Sequence, residues 1–568
     1  MPFKSPLPDI DIPKCNILSY VFAGDRSNRT EPLWIDAANP TNSLSLSQMH
    51  MLVKRLAAGF DKLHVPTNGA VMVFSPNHIF VPTVYLAAAG SNRAFTGANP
   101  IYTANEVAYQ MKILDAALVL IHPSLLEVGL AAAKQAGIPK EKLFVFSNEE
   151  TQGANGIKDW RAILASESEA KSWQWDPLEG KEAETQVACI NFSSGTTGLP
   201  KGVCITHANL IANASQAISI KFVGDIQGRS ESSPGKETWL AFLPLYHAYS
   251  QLWTINIASR LGYKVYVMSK FVFEDFLKCI SQYRVDAIQA VPPVLVMLSK
   301  RPEVKNYDIS SLKQILVGAA PTSSELQAEV SRRFNLKIGQ GWGMTETTCA
   351  GIMVPFGEDD DGTGTIGLLM PNTEAKLVDD LGREVTAEGE RGELCIRGPQ
   401  MLKEYWRNEA ATRESKEADG WFHSGDVAIW KKDGKGRQTW WIVDRKKELI
   451  KVKGLQVAPA ELEAVLLECD DVADAAVVGI RFEEDGEEWP RAYVVLQDDA
   501  KRRNVGEKEI QNFVAGKVAK HKWLEGGVKF VDEVPKLASG KIMRKFMKDM
   551  AKKDAEEMKK VGKVKAML

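Results

Sequence analysis

The sequence predicts an α/β protein in two parts. A large N-terminal body of parallel and mixed sheets is covered by helices and carries a β-rich subdomain; a small α+β domain follows it. Three observations carry this prediction. The chain has 568 residues, too many for one hydrophobic core. Short apolar runs alternate with amphipathic stretches through its first three-quarters. After a lysine-rich stretch near residue 445, the alternation restarts on a smaller scale.

In the body, "GAVMVFSP", "AALVLIHP", "VACINFSS", "KVYVMSK", "AIQAVPP" and "QILVGAA" read as buried strands with helical patterns between several of them, as in a parallel sheet covered by helices. Between about 362 and 400, "TEAKLVDDLGREV" and "GELCIRGP" read as hairpin strands. In "WIVDRKKELIKVKGLQVAPAELEAVLLE" clustered cations interrupt a strand-to-helix passage, which suits an exposed joint. The boundary is therefore placed at 444/445, giving domains 1–444 and 445–568. Within the second, a helix is expected over 459–468, strands over 475–480 and 491–496, and a helix over 507–519 with Ile510, Phe513, Val514 and Val518 on one face.

Composition narrows the function classes. With 45% hydrophobic and 25% charged residues and a formal net charge of −2, there is neither a basic excess for nucleic acid nor an acidic tail. Seven cysteines, never spaced Cys-x-x-Cys, point to reduced thiols in an intracellular compartment and away from a zinc site. The opening "MPFKSPLPDIDIPKC" has no apolar core of a signal peptide. The most apolar segment, 287–298, is broken by Pro292-Pro293 and is too short to span a bilayer. The final Ala566-Met567-Leu568 loosely echoes a peroxisomal Ser-Lys-Leu tail without its basic residue. The expected location is cytoplasmic, or peroxisomal if that tail is read; a plain frayed terminus is the simpler reading.

The stretch that carries chemistry is "SSGTTGLPKG". Gly195 and Gly198 let backbone N–H groups turn inward as an anion nest. Ser193, Ser194, Thr196 and Thr197 add uncharged donors, and Lys201 supplies a point charge suited to phosphate. It is not a Walker loop: Pro200 stands where that motif has its second glycine, and Gly202 rather than Ser/Thr follows the lysine. The loop suits a nucleoside triphosphate held in another manner. "GTGTIG", Gly362 to Gly367, matches a dinucleotide pattern but leads into a hairpin rather than a helix, and is set aside.

Four further stretches, "QGWGMTET", "WFHSGDVA", "DRKKELIKVKGLQVAPAELE" and "PKLASGKIMRK", follow the loop in order. Together with it they resemble the adenylate-forming superfamily of acyl-CoA synthetases, most nearly 4-coumarate–CoA ligases and the fungal aryl- and acyl-CoA ligases related to them. The resemblance implies a small carboxylic acid, ATP, Mg²⁺ and coenzyme A as reactants. The acid attacks the α-phosphorus to give acyl-AMP and pyrophosphate, and the coenzyme A thiol then displaces AMP. It puts Thr345 on the α-phosphate and Glu346 on Mg²⁺, a hard cation that suits carboxylate oxygen. Trp342, where relatives have tyrosine, would stack on adenine. Asp426 and Arg445 would hold the ribose. Gly318, Ala319, Ala320, Gln340, Gly341 and Gly343 would border the nucleotide. Lys541 would enter the site for adenylation, and such an electrostatic contact is typically worth roughly 10²- to 10³-fold in rate. Lys447 would be the hinge of a mobile small domain. Lys451 and Gln456 would approach the nucleotide or acyl phosphate, and Lys453 and Gly454 would line the thiol tunnel.

For the acid, the resemblance implies a pocket of His247, Tyr249, Trp253, Leu316, Gly318 and Gly341, with His247 as a gate and no general-base role implied. On an apolar stretch, His247 is otherwise a satisfied core residue. No aspartate lies between Leu240 and Leu261 to pair an α-ammonium group. Leu316 stands where hydroxycinnamate ligases have a lysine for the ring hydroxyl, and Trp253 where they have a small residue. A buried hydroxyl without a partner costs about 1–3 kcal/mol. The expected substrate is thus a compact apolar aryl, arylalkyl or medium-chain alkyl acid. Glu404, where the family has glycine before tyrosine, is expected to be mildly strained if its turn needs a positive φ. The alternative function is a stand-alone adenylation enzyme that loads a carrier protein; fewer than thirty residues follow Lys541, too few for a fused carrier domain. Oligomeric state is not legible.

Overall fold

In a computed structural model of the chain, the described residues are 2–193, 200–225, 228–231, 235–320, 322–356, 363–452, 455–482, 487–537 and 540–560. The expected strands form. Ala70–Phe74, Ala94–Ala98, Leu118–Ile121, Leu143–Val145 and Val187–Ser193 are parallel neighbours in an eight-stranded sheet, edged by antiparallel Lys201–Thr206 and Glu404–Tyr405. A nine-stranded sheet sets Pro32–Asp36, Lys264–Val267, Thr238–Ala241, Ala287–Ala290, Gln314–Val317 and Lys337–Trp342 side by side in parallel. Most residues of these strands are buried, as in a sheet covered on both faces, with exposure confined mainly to their ends.

The β-rich subdomain is an antiparallel sheet of Glu374–Val378, Gly392–Arg397, Phe422–Lys432 and Gln438–Arg445. Its outer strand is the N-terminal Phe3–Lys4, which pairs with Glu374–Val378. The Phe3 ring packs 5.2 Å from Trp430 and 5.3 Å from Trp440. The proline-rich opening gave no hint of this.

Local chemistry explains where the helices start. Thr206 caps His207–Lys221 in a capping box with Asn209, satisfying two orphan donors at once. The Asn209 amide also donates to the carbonyls of Pro399 and Met401 at 2.8 and 2.9 Å. That anchors the segment leading to Glu404–Tyr405, which pairs with Lys201–Thr206.

One large core and two smaller ones fill the body, and a separate core, including Leu462, Val477, Tyr493, Val514 and Met547, fills the C-terminal unit. That unit has helices Pro459–Leu467, Glu507–Ala515 and Arg544–Lys560 on a sheet of Val472–Arg481, Glu488–Leu496 and Val528–Phe530. The expected 507–519 helix stops at Ala515. Gly516 follows it, and Val518 lies past the helix end, half-buried against the same core. Among the described residues, no helix is long and apolar enough to cross a membrane.

Candidate active site

A cavity opens where the parallel strands Gln314–Val317 and Lys337–Trp342 end, the usual place for a ligand in a parallel sheet. Tyr249, Trp253, Leu316 and Met353 give it apolar wall, and Trp342, Thr345 and Lys541 add polar groups. Ala319, with φ 73°, also borders it.

The sequence turns sharply after Trp342. A Cβ at Gly343 would sit 1.6 Å from the Cys349 carbonyl oxygen, so only glycine lets the chain fold back there. Thr345–Thr347 then make one 3₁₀ turn. It ends at Thr348, whose φ of 63° is unusual for a β-branched residue. The Thr348 hydroxyl holds the turn by donating to the Gln400 carbonyl at 2.7 Å, and Asn213 exchanges two hydrogen bonds with the Ala350 backbone.

Glu346 is buried, and its Oε1 accepts the Tyr405 hydroxyl at 2.9 Å. The Lys201 ammonium stands 5.0 Å from the centroid of that tyrosine ring. Tyr405 therefore links the lysine of the glycine loop to the carboxylate. Burial and the neighbouring Glu346 charge push its phenol far up, so it remains a donor. Sequence reasoning passed over Tyr405, although it is the residue after Glu404. Glu404 itself lies in a strand and is not a positive-φ residue; Arg407, with φ 50°, takes the left-handed position of that turn.

Asp426 and Arg445 face each other across the antiparallel pair Phe422–Lys432 and Gln438–Arg445. Arg445 Nε lies 3.5 Å from Asp426 Oδ1, and Trp342 Nε1 donates to Asp426 Oδ2 at 2.8 Å. Burial raises the Asp426 carboxyl, while Arg445 and the indole bond oppose the rise. Asp444 does not pair with the Arg445 side chain. It is buried at the start of helix Pro459–Leu467, accepting the backbone N–H groups of Arg445 and Ala460.

His247 caps the turn Ala248–Ser250, its Nδ1 accepting the Tyr249 N–H at 3.3 Å. Burial, and then the Lys541 charge, push its pKa down to about 3. It is a neutral wall residue near pH 7. Asn77 fixes its segment: the amide donates to the Leu243 carbonyl and accepts the Leu245 N–H. A second amide pair, Asn191 with Gln251, ties the strand before the glycine loop to the π-helix Gln251–Ile257 that carries Trp253. Trp253 is 1% exposed and stacks on Phe356 at 5.6 Å. The Lys221 ammonium, paired with Glu237, lies behind Phe356. The Tyr249 hydroxyl is committed to the Leu316 carbonyl at 2.8 Å.

Lys541 enters the cavity from the C-terminal unit. Burial, then Arg445, push its pKa down to about 8, against the opposing charges of Asp426 and Glu346.

The remaining sequence candidates are placed as follows. Ser193 closes the strand before the glycine loop, and its hydroxyl has no partner among the described residues. Ser194, Gly195, Thr196, Thr197 and Gly198 lie outside the described residues, as do Lys453, Gly454 and the C-terminal Ala566-Met567-Leu568. Gly318 and Gly341 border the cavity, whereas the Gln340 amide is spent bracing Thr322 and Gly364. Ala320 is not part of the wall. Lys447 is exposed, and Lys451 and Gln456 are exposed and face each other on the hairpin Ile450–Val452/Leu455–Val457, whose Ile450, Val452 and Val457 are buried. Met344, Cys349 and Met353 are wall residues that no motif singled out.

Fold and cavity together define an α/β protein with a separate C-terminal core, which sends Lys541 into a largely apolar cavity of the body. The chain belongs to the AMP-binding enzymes. The model of the AMP-binding enzyme family matches residues 23–406, and that of the AMP-binding enzyme C-terminal domain matches residues 461–541. It is 36% identical over 547 residues to phenylacetyl-CoA ligase epaB of Aspergillus niger, covering 95% of this chain and 97% of that one. It is 33% identical over 553 residues to 4-coumarate–CoA ligase 1 of Arabidopsis thaliana, covering 96% and 94%. ATP-bound MatB from Rhodopseudomonas palustris shares the fold, with a TM-score of 0.79 at 23% identity over 95% of this chain and 99% of that one.

Proposed function

We propose that this protein is an ATP- and Mg²⁺-dependent carboxylate–CoA ligase acting on a compact apolar aryl, arylalkyl or medium-chain alkyl acid. The observation that carries this reading is a cavity whose wall combines the apolar Tyr249, Trp253, Leu316 and Met353 with Thr345, Lys541 and Trp342, the last bonded to Asp426. Family membership supports the two-step course through an acyl adenylate.

Asp426 and Arg445 hold the ribose, with Trp342 beside the adenine. Thr345 donates to the α-phosphate. The Lys541 ammonium, close to Glu346 and Asp426 in charge, neutralises charge as the carboxylate oxygen meets phosphorus. Lys201, with the glycine loop, holds the pyrophosphate end. Glu346, one oxygen occupied by Tyr405, offers the other to Mg²⁺, a fit between hard oxygen and hard cation; bound there, the ion would screen phosphate charge. The acid lies against Tyr249, Leu316 and Trp253, where no cation meets a ring hydroxyl. The unit beginning near 445 is the mobile domain, pivoting at Lys447, with Lys451 and Gln456 approaching the nucleotide or acyl phosphate and Lys453 and Gly454 lining the thiol tunnel of the second step. The reaction needs no membrane, and the cytoplasm or peroxisome is its place.

The test is AMP formation by the purified protein with ATP and Mg²⁺ against aryl, arylalkyl and alkyl acids, with and without coenzyme A. AMP release that requires both acid and coenzyme A supports the ligase. Pyrophosphate release without coenzyme-dependent turnover replaces it with a carrier-loading enzyme.

A further inference from the structure

One helix of the body touches the C-terminal unit at both of its ends. Helix Pro292–Lys300 is about 13 Å long at 1.5 Å per residue. At its start, the turn of Gly540, with φ 79°, rests on the body so closely that a Cβ there would meet Val291 Cγ2 at 3.0 Å and Pro293 Cδ at 3.6 Å. The next residue is Lys541, which reaches the cavity.

At the helix end, Lys300 Nζ donates to the carbonyls of Leu467 at 2.9 Å, Cys469 at 3.3 Å and Val472 at 2.8 Å. These belong to the end of helix Pro459–Leu467 and the turn into strand Val472–Arg481. A helix C-terminus presents carbonyls without intrahelical partners and a partial negative charge, so an ammonium there satisfies both. Among the described residues, Lys300 makes no salt bridge with a carboxylate. Its base is fixed: Arg333 donates to the carbonyls of Leu298 and Ser299, and the Ser299 hydroxyl donates to Glu329 at 2.7 Å. Two contacts about a helix length apart fix the orientation of the docked unit, as one contact would not.

We propose that Lys300 is a positioning residue that holds the C-terminal unit in the docked arrangement and thereby keeps Lys541 at the cavity. This rests on the reading of Lys541 as the lysine of the adenylation step. Its chemistry is that of a cap: three carbonyls of one unit share one ammonium of the other.

The experiment compares the full-length wild type with Lys300→Ala, Lys300→Met and Lys300→Arg. Three quantities are read: acid-dependent exchange of pyrophosphate into ATP, coenzyme A-dependent consumption of supplied acyl adenylate, and the rate of reductive methylation of Lys541 in substrate-free protein, by peptide mass spectrometry. Loss of hydrogen bonds from a charged donor predicts a ~10-fold or larger fall in exchange for Lys300→Ala and Lys300→Met. Acyl-adenylate consumption stays within about twofold, methylation of Lys541 rises at least ~3-fold, and Lys300→Arg restores exchange. Unchanged Lys541 methylation overturns the proposal, as does an equal fall in both half-reactions. If the wild type itself exchanges no pyrophosphate with any acid, the ligase reading has failed; the methylation rates then decide the docking claim alone.

Discussion

The indole N–H of Trp342 donates to Asp426 across 84 residues of sequence, at 2.8 Å and away from solvent. The residue expected to offer only a stacking face is thus also a donor to the buried Asp426 carboxylate, which is proposed to hold the ribose. Trp342→Phe keeps a ring but leaves Asp426 one donor short in a buried setting. Hydrogen bonds to charged groups are worth about 1.5–3 kcal/mol, so KM for ATP should rise roughly 10- to 100-fold with a smaller change in KM for the acid. Steady-state kinetics with each substrate varied in turn checks this, and equal effects on both would remove the specific link to ribose.

Tyr405 makes the same kind of statement about Glu346. Its hydroxyl orients the carboxylate while its ring faces the Lys201 ammonium. Tyr405→Phe removes only the first contact. Adenylation should fall about 10-fold, in keeping with one lost buried hydrogen bond to a charge, and the Mg²⁺ concentration for half-maximal rate should rise. A magnesium titration of pyrophosphate exchange reads both. A variant with lowered rate and an unshifted magnesium midpoint would leave Tyr405 a packing residue.

The pH dependence follows from Lys541. Its pKa is pushed down to about 8, mainly by burial and by Arg445. The ammonium is therefore full below that value and lost above it, so kcat/KM for adenylation should fall as pH rises through about 8. This quantity reports the free enzyme. Lys541→Arg, which cannot deprotonate in this range, should lower the rate and flatten that limb. A wild-type profile level to pH 10 would mean that another group supplies the charge.

Much of this was legible in the sequence because it is local. Six apolar runs became strands, and the Thr345–Glu346 turn follows from glycines that leave the chain no other path. What was not legible depends on long-range contact. The Phe3 strand finds its partner some 370 positions away, at Glu374–Val378. Tyr405, Asn77 and Lys300 act through atoms brought beside them only by the folded sheets. Gln340 sits inside a recognised motif, yet its amide is spent on loop backbone; spacing cannot tell which way a strand residue's amide is used. Asp444 and Arg445 are neighbours in sequence, and the strand's alternation sends their side chains to different partners.

Asp444 gives the protein a pH-sensitive stability. Burial pushes its carboxyl up to about 7, against the hydrogen bonds from Arg445 and Ala460. Because the folded pKa exceeds the unfolded one, the protonated form stabilises the fold. That contribution is complete below about pH 4 and is lost as pH rises through about 7. A rise of this size corresponds to a few kcal/mol at about 1.4 kcal/mol per pH unit. Urea midpoints should fall between pH 5 and pH 8 in the wild type, and Asp444→Asn should make that fall shallower. Identical slopes in the two proteins would assign the dependence elsewhere.

Trp253 lines the cavity, and on the proposed reading it sets the depth of the acyl pocket. It is fully buried, stacked on Phe356, with the Lys221–Glu237 pair closing the space behind. Trp253→Ala removes the largest side chain of the apolar wall, so the preferred acid should lengthen. Two effects compete: a cavity from Trp→Ala costs about 3–5 kcal/mol of stability, while a longer acid that fills it recovers part of that loss. The expected result is a lower melting temperature that a longer arylalkyl or alkyl acid with ATP partly restores, and a shift of kcat/KM toward that acid. In the wild type, Leu316 leaves a para-hydroxyl without a cation, and the Tyr249 hydroxyl already serves a carbonyl. Coumarate should therefore do no better than its unhydroxylated analogue. A tenfold preference for coumarate would mean that a polar group reaches the ring from elsewhere, and an unaltered chain-length profile in Trp253→Ala would mean that the acid lies along another wall.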